Sequence, residues 1–204
     1  MNEKTMQNAL SKIGYGLYVL SAKLGGKDNA CIVNSFMQIS STAPTLCSLA
    51  VNKQSLTHEM VFGSKEFNIS VITLDADFDF FKKFGMQSGR DVDKFSACKN
   101  IYRAKNGIIY IKKECNSYMS FEVIQMEDVG THTLFLAKLV ENAVLNDKES
   151  ITYSYYHKHT KKSGEVKRMG YRCTICDYVL EEEELPADYI CPLCSHGAEV
   201  FEKI

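Results

Sequence analysis

No apolar run in this 204-residue chain is long enough to span a bilayer. The longest, Ile13 to Ala22, contains two glycines, and a membrane helix needs roughly 20 predominantly apolar residues. A basic leader is also missing. Glu3, Gln7 and Asn8 precede the run and Lys23 follows it at once, so no signal peptide is expected and the chain reads as cytoplasmic, with no membrane partner. No G-x-G-x-x-G follows a strand-like segment, so nothing resembles a separate dinucleotide fingerprint. Internal repeats are absent, and the one biased block, Glu181 to Glu184, reads as a solvated loop rather than a calcium site. What is present is a 45% apolar composition, enough for one substantial core and a small appendage and too apolar for a disordered chain.

Net charge is also nearly absent, at −1, but its distribution is uneven. From Met169 onward two basic residues face eight acidic ones, a net of −6, so the preceding 168 residues carry +5. An acidic tail repels phosphates, which argues against nucleic acid as a partner. Residues 157–168, from His157 to Arg168, hold Lys158, Lys161, Lys162, Lys167 and Arg168 around Ser163-Gly164 and read as an exposed, flexible basic linker. Fully extended, such a segment reaches roughly 40 Å. Three segments are therefore expected: a body over 1–156, the linker over 157–168, and a tail module over 169–204.

Cysteine usage separates the same regions. Cys31, Cys47, Cys98 and Cys115 are scattered singly through apolar segments, as free core thiols are in a reducing compartment. The other four form two C-x-x-C knuckles, Cys173/Cys176 and Cys191/Cys194, fourteen residues apart. Four thiolates on two tight turns are the ligand set of a tetrahedral Fe or Zn site. Tyr171, Tyr178, Tyr189 and Phe201 supply an apolar shell that favours iron, although a zinc ribbon could use the same aromatics as a minimal core.

The body reads as mainly β. Tyr15 to Leu24, Ala30 to Ile39, Thr45 to Asn52, Phe67 to Thr73, Ile108 to Lys112, Tyr118 to Met126 and Thr131 to Leu145 are rich in Val, Ile, Tyr, Phe and Thr, which predicts a closed or split β-barrel. Two helices are expected, Leu56 to Ser64 behind the N-cap Ser55, and Asp75 to Phe84. The first opens after Asn52-Lys53-Gln54-Ser55-Leu56-Thr57. A helix N-terminus beside a lysine and hydroxyls is a ready anion site, with phosphate its natural guest.

Four strings, taken in order, resemble the flavin-reductase-like family. They are Asn34-Ser35 before a strand end with Pro44 opening the next; Asn52-Lys53-x-Ser55-x-Thr57 followed by Phe67-Asn68-Ile69-Ser70-Val71; Phe84-Gly85-x-x-Ser88-Gly89-Arg90-Asp91-x-Asp93-Lys94-Phe95; and Gly130-Thr131-His132-Thr133-Leu134-Phe135. The resemblance covers about residues 8–150 and implies an FMN-binding split barrel and a homodimer, with each FMN near the subunit interface. It implies that the turn from Asn52 to Thr57, with Lys53 and Ser55, holds the FMN phosphate, that Asn34 and Ser35 face the isoalloxazine, that the Ser88 to Phe95 loop with Lys94 borders the ring, and that Ser41, Phe84 and Gly85 belong to the same cofactor-binding set. It places His132 near the flavin and the nicotinamide site, as the catalytic candidate that orients the donor or stabilises reduced flavin. The nicotinamide stacks directly on the flavin in this family, so no dinucleotide fingerprint is required.

The tail resembles rubredoxin, in the form found in rubrerythrins. The matching strings are Tyr171-Arg172-Cys173-Thr174-Ile175-Cys176-Asp177-Tyr178 and Leu185 to Cys194, ending in Phe201-Glu202. Asp177 and Ser195 stand where rubredoxins often have glycine, which bears on the amide-to-sulfur hydrogen bonds. The two resemblances together imply an oxidoreductase that takes hydride from NAD(P)H onto FMN and passes single electrons to the iron centre. They imply a redox protein partner, a flavodiiron reductase of O2 or NO or a rubrerythrin-like protein, met through the acidic face of the tail. The alternative is a flavin-binding protein or flavin reductase with a structural zinc ribbon used for docking.

Overall fold

The computed structural model describes residues 10, 12–96, 98, 101–161 and 170–204. They form two compact units, divided between Thr160 and Lys161. The first unit contains strands β1 (Tyr18–Leu24), β2 (Lys27–Val33), β3 (Phe36–Gln38), β4 (Leu46–Asn52), β5 (Glu66–Ile72), β6 (Tyr102–Arg103), β7 (Ile109–Tyr110), β8 (Cys115–Asp128) and β9 (His132–Val144). Seven of them make one antiparallel sheet in the order β2-β1-β5-β8-β9-β4-β3, while β6 pairs only with β7.

The edges of that sheet explain its shape. β2 lies at one edge and β3 at the other, yet only Asn34 and Ser35 separate them in sequence. Three peptide steps of 3.8 Å reach at most about 11 Å, so the sheet must curl until its edges nearly meet. This is a split barrel, not a closed one. The expected strand from Ala30 to Ile39 therefore breaks in two: the chain leaves β1 and joins β4, where the Ser35 hydroxyl donates to the Ala50 carbonyl at 2.5 Å and the Ala50 amide donates to the Ser35 carbonyl at 3.3 Å.

Alternation along the strands builds two cores. Cys47, Leu49 and Val51 of β4 point inward with half-exposed neighbours between them, the period-2 pattern of a strand with one wet face. On β1, Val19 enters one core and Leu20 the other, because both faces of this strand are covered. Inside the curl, Phe67 and Phe121 are register partners and stack with ring centroids 5.1 Å apart.

The outer core rests on α2 (Phe78–Gly85), while α1 (Leu56–Ser64) covers the curl with Met60 and Val61. α2 starts three residues later than its sequence pattern predicts because Asp77 caps it, accepting from the Phe80 amide at 2.9 Å. Its Phe80, Phe81 and Phe84 are buried against Phe95, Ile72 and Ile151. After β9 the chain makes a short α3 (Tyr153–Tyr155) and a π-helical turn over Tyr156–Thr160. The first residues of the expected linker are thus helical, with Tyr156 and Thr160 buried; residues 162–168 of it lie outside the described residues.

The second unit is a three-stranded antiparallel sheet, β11-β10-β12, of β10 (Tyr171–Cys173), β11 (Val179–Leu180) and β12 (Phe201–Lys203). Tyr189 packs edge-on against Phe201 at 5.3 Å, and Lys161 pairs with Asp177 at 2.6 Å. No helix among the described residues is long and apolar enough to cross a membrane.

Phe121 joins the inner core across two strands, with Phe36 as a further ring neighbour at 5.3 Å. Phe121→Ala is expected to destabilise the barrel by about 3–5 kcal/mol, read as a lowered urea midpoint. A loss under about 1 kcal/mol would mean that this core repacks freely.

Candidate functional site

Two groups of residues in the structure have the chemistry of a site, one in each unit.

In the barrel, β4 ends where α1 begins. Ser55 caps α1, its hydroxyl accepting from the Thr57 amide at 3.1 Å, so the first turn presents free amides and two hydroxyls. β2 runs past this turn. Asn29 and Cys31, two residues apart on a strand, share a face. Asn29 Nδ2 donates to Thr57 Oγ1 at 2.9 Å, and the Cys31 thiol lies within hydrogen-bonding reach of the Thr57 and Ser55 hydroxyls.

Lys94 completes the group from the loop after α2. It is only 5% exposed, and its Nζ donates to the Ala30 carbonyl at 2.9 Å and the Phe84 carbonyl at 3.0 Å. Among the described residues no carboxylate pairs with it. Burial pushes the Lys94 ammonium below the ordinary lysine range, with Cys31 opposing the shift. Burial likewise pushes the Cys31 thiol up, against hydrogen bonds from Thr57 and Ser55 and the charge of Lys94. A buried cation, two hydroxyls and a helix N-terminus converge, and this donor set fits the phosphate of a flavin nucleotide. The same loop is seated by Gly89, where any side chain would overlap Asn29, and by an ion pair from Arg90 to Glu59 of α1.

The sequence-derived flavin residues divide on inspection. Ser55, Thr57 and Lys94 come together. Asn52 stands in register with His132 across β4 and β9, and its Oδ1 accepts from the Gln54 amide at 2.9 Å. Lys53 is drawn to the β8–β9 turn, pairing with Asp128 at 2.5 Å, so it is Lys94 that supplies the buried cation. Asn34 and Ser35 lie at the β2-to-β3 step, and Ser41 is exposed in the following turn. Phe84 is buried in the outer core and contributes its carbonyl rather than its ring; Gly85 packs on Ile32. Ser88 is exposed and accepts from the Arg90 amide at 3.1 Å. His132 Nδ1 lies 2.8 Å from the Thr131 hydroxyl, and burial pushes its imidazole below the usual histidine range.

Two participants escaped sequence reasoning, Asn29 and Cys31. Cys31 reads as one more core thiol until the strand face is known, although its spacing from Asn29 carries the signal. Cys47 and Cys115 are buried, as expected. Close by, His58 Nε2 meets Thr133 Oγ1 at 2.8 Å, and burial pushes this imidazole down, with Glu59 opposing.

In the second unit the four knuckle sulfurs all lie within 4.8 Å of one another. Cys173 and Cys194 are 3.6 Å apart, and Cys176 and Cys191 are 3.5 Å apart. A tetrahedral ion with bonds of about 2.3 Å requires sulfurs about 3.8 Å apart, so the arrangement fits one metal ion. Asp177 and Ser195 adopt the left-handed backbone that glycine usually serves, with φ of 61° and 63°; aspartate tolerates it through its short polar side chain. The amide-to-sulfur hydrogen bonds survive the substitution: Tyr178 donates to Cys176, Leu193 and Cys194 to Cys191, and His196 to Cys194.

Without an ion, burial pushes the Cys176 thiol up and raises Cys194 to about 12. Cys191 also feels burial, but the amides of Cys194 and Leu193 hold it below the ordinary thiol range.

Comparison with known proteins matches residues 10–164 to the flavin reductase like domain and residues 171–202 to the rubrerythrin, rubredoxin-like domain. The high molecular weight rubredoxin of Moorella thermoacetica is 33% identical, covering 96% of this chain and 98% of that protein. The ferric-chelate reductase (NAD(P)H) of Archaeoglobus fulgidus is 32% identical, covering 78% of this chain and 92% of that one. Among solved structures, an FMN-binding protein from Thermus thermophilus superposes with a TM-score of 0.59 at 20% identity, over 65% of this chain and 72% of that one.

Thiols held protonated by burial must release protons when they ligate an ion. Titrating metal-free protein with Zn(II) or Fe(II) in weak buffer should therefore acidify the solution, and apparent affinity should fall as the pH is lowered. An indicator dye reads the first effect and a competing chelator the second. Binding without proton release would mean preformed thiolates.

Proposed function

The chain belongs to the flavin reductase like domain family, with a rubredoxin-like domain fused behind it; it is an NAD(P)H-dependent flavin oxidoreductase, and we propose that its electrons leave through a tetrathiolate iron. The flavin in this reading is FMN, and the final acceptor is a redox protein of the flavodiiron or rubrerythrin-like type. The observation that carries it is the presence, in one chain, of a phosphate-fitting cradle and four convergent sulfurs. Hydride donors deliver two electrons together, whereas one such iron accepts one. Bound flavin accepts the pair and gives electrons up singly.

Each group of residues has a definite task in this scheme. The amides of the first turn of α1, with Ser55 and Thr57, hold the phosphate, and Lys94 meets its charge from the buried side. Asn29 orients the Thr57 hydroxyl by donating to its oxygen. His132, where β4 ends and β9 begins, is pushed by burial toward its neutral form and offers Nε2 to the nicotinamide or the flavin edge. The active unit is a homodimer, supported by Met37 and Ile39, which are 63% and 54% exposed at and just beyond the free edge strand β3.

Iron is preferred to zinc because a flavin domain has a use for a one-electron neighbour and none for a colourless structural ion. The relative sharing 96% of this chain also carries rubredoxin in its name. The acidic tail, net −6, steers a basic partner toward the metal, raising encounter rate more than affinity. Residues 157–168 serve as the connection between the flavin and metal modules.

Mixed anaerobically with NADH or NADPH, iron-loaded protein should lose both its flavin and its iron–thiolate absorption. Bleaching of the flavin alone over many turnovers would sink the relay. Independently, Lys94→Met should weaken FMN binding by about 1.5–3 kcal/mol, the worth of a hydrogen bond to a charged group. Its unfolding midpoint should hold or rise, because a buried cation without a carboxylate is removed.

A further inference from the structure

Lys83 and Cys98 lie outside the machinery described above. Lys83 Nζ stands 3.1 Å from Cys98 Sγ. Cys98 is half-buried, unlike the enclosed Cys47 and Cys115, so small oxidants can reach it. Among the described residues no carboxylate pairs with Lys83; its ammonium instead lies 5.4 Å over the Phe84 ring. The two segments that carry the pair are fixed by other contacts. Lys94 Nζ donates to the Phe84 carbonyl at 3.0 Å, the Phe84 and Phe95 rings stand 5.8 Å apart, and the Cys98 amide donates to the Phe95 carbonyl at 2.9 Å. Nitrogen and sulfur can therefore close on each other through the lysine side chain alone, with no shift of backbone.

We propose that Cys98 and Lys83 are a peroxide-driven cross-linking site, joined under oxidation by a sulfur–nitrogen bond. In the first step the Cys98 thiol attacks hydrogen peroxide: an O–O bond breaks, an S–O bond forms, and sulfenic acid and one water result. Sulfur is oxidised and peroxide reduced, and the Lys83 ammonium is placed to balance negative charge on sulfur during the attack. In the second step Lys83, as a neutral amine whose extra proton has gone to solvent, displaces hydroxide from sulfur. The S–O bond breaks, an S–N bond forms, and a second water leaves. Together the two steps consume one peroxide, release two waters and remove two hydrogens from the protein. Sulfenic acids condense with backbone nitrogen in the same way; here a side-chain amine is already in contact. Two equivalents of an added thiol reverse the bond, giving back thiol and amine and leaving one disulfide of the reductant.

The bond would tie α2 to the loop carrying Lys94, the same two segments that the Lys94-to-Phe84 hydrogen bond joins. Oxidised protein would then hold its phosphate cradle with less freedom to open. That consequence rests on the flavin reading above; the cross-link itself does not.

The test is made on full-length protein treated with hydrogen peroxide, digested without reductant and analysed by tandem mass spectrometry. The Lys83 and Cys98 peptides should be recovered as one species, lighter than their sum by two hydrogens. It should vanish after dithiothreitol. It should be lost in Lys83→Arg, which keeps the charge but not the amine, and in Cys98→Ser. Recovery of Cys98 as sulfinic acid, as a disulfide or unmodified, beside an intact Lys83, overturns the proposal. Because the readout is a mass, the result is the same whether or not the barrel holds flavin.

Discussion

The two-residue step from β2 to β3 is the constraint from which the rest of the barrel follows. A chain that must appear at opposite edges of a seven-stranded sheet within about 11 Å cannot leave that sheet flat. The curl encloses the Phe67–Phe121 core. It also carries β2 alongside the first turn of α1, which puts Asn29 and Cys31 against Ser55 and Thr57. The hydrogen bonds between Ser35 and Ala50 hold the step in place. A single short crossing thus fixes both the enclosed volume and the neighbours of the anion cradle.

The two sites solve opposite electrostatic problems. The barrel site buries a positive charge on Lys94 among carbonyls, a costly arrangement that an incoming phosphate relieves. The tail site gathers four thiols, and burial opposes the deprotonation of Cys176 and Cys194, which a cation relieves. Each is strained in the direction its guest corrects, so binding is coupled to local stability in both. The charge along the chain has the same polarity: +5 over the residues up to 168, +4 of it in 157–168, and −6 over the tail that holds the cation site.

What could be read from the sequence depended on how far apart the partners lie along the chain. The tail was legible because its ligands, turns and aromatics all fall within thirty-odd residues, and the two C-x-x-C spacings announce the ligand set by themselves. Most barrel strands were legible from β-branched and aromatic content, and α1 from its N-cap. The break at Asn34 was not, because it depends on Ser35 meeting Ala50, fifteen residues away. Lys53 looked like the phosphate cation because it adjoins the cap; only the folded chain brings Asp128 to it across seventy-five residues. Phe84 looked like a ring contact, and helix geometry turns its side chain into the core while leaving its carbonyl for Lys94. Cys31 shared its composition with buried thiols, and only the strand face distinguishes it.

Asp177 does more than replace a glycine. A glycine at that left-handed corner would end at its α-carbon, whereas the aspartate carries a carboxylate that reaches Lys161, where the second unit begins. The corner that closes the Cys173–Cys176 knuckle is therefore held by an ion pair as well as by its backbone. Raising the ionic strength, which screens a half-buried pair only in part, would loosen that hold on the turn without touching a single ligand.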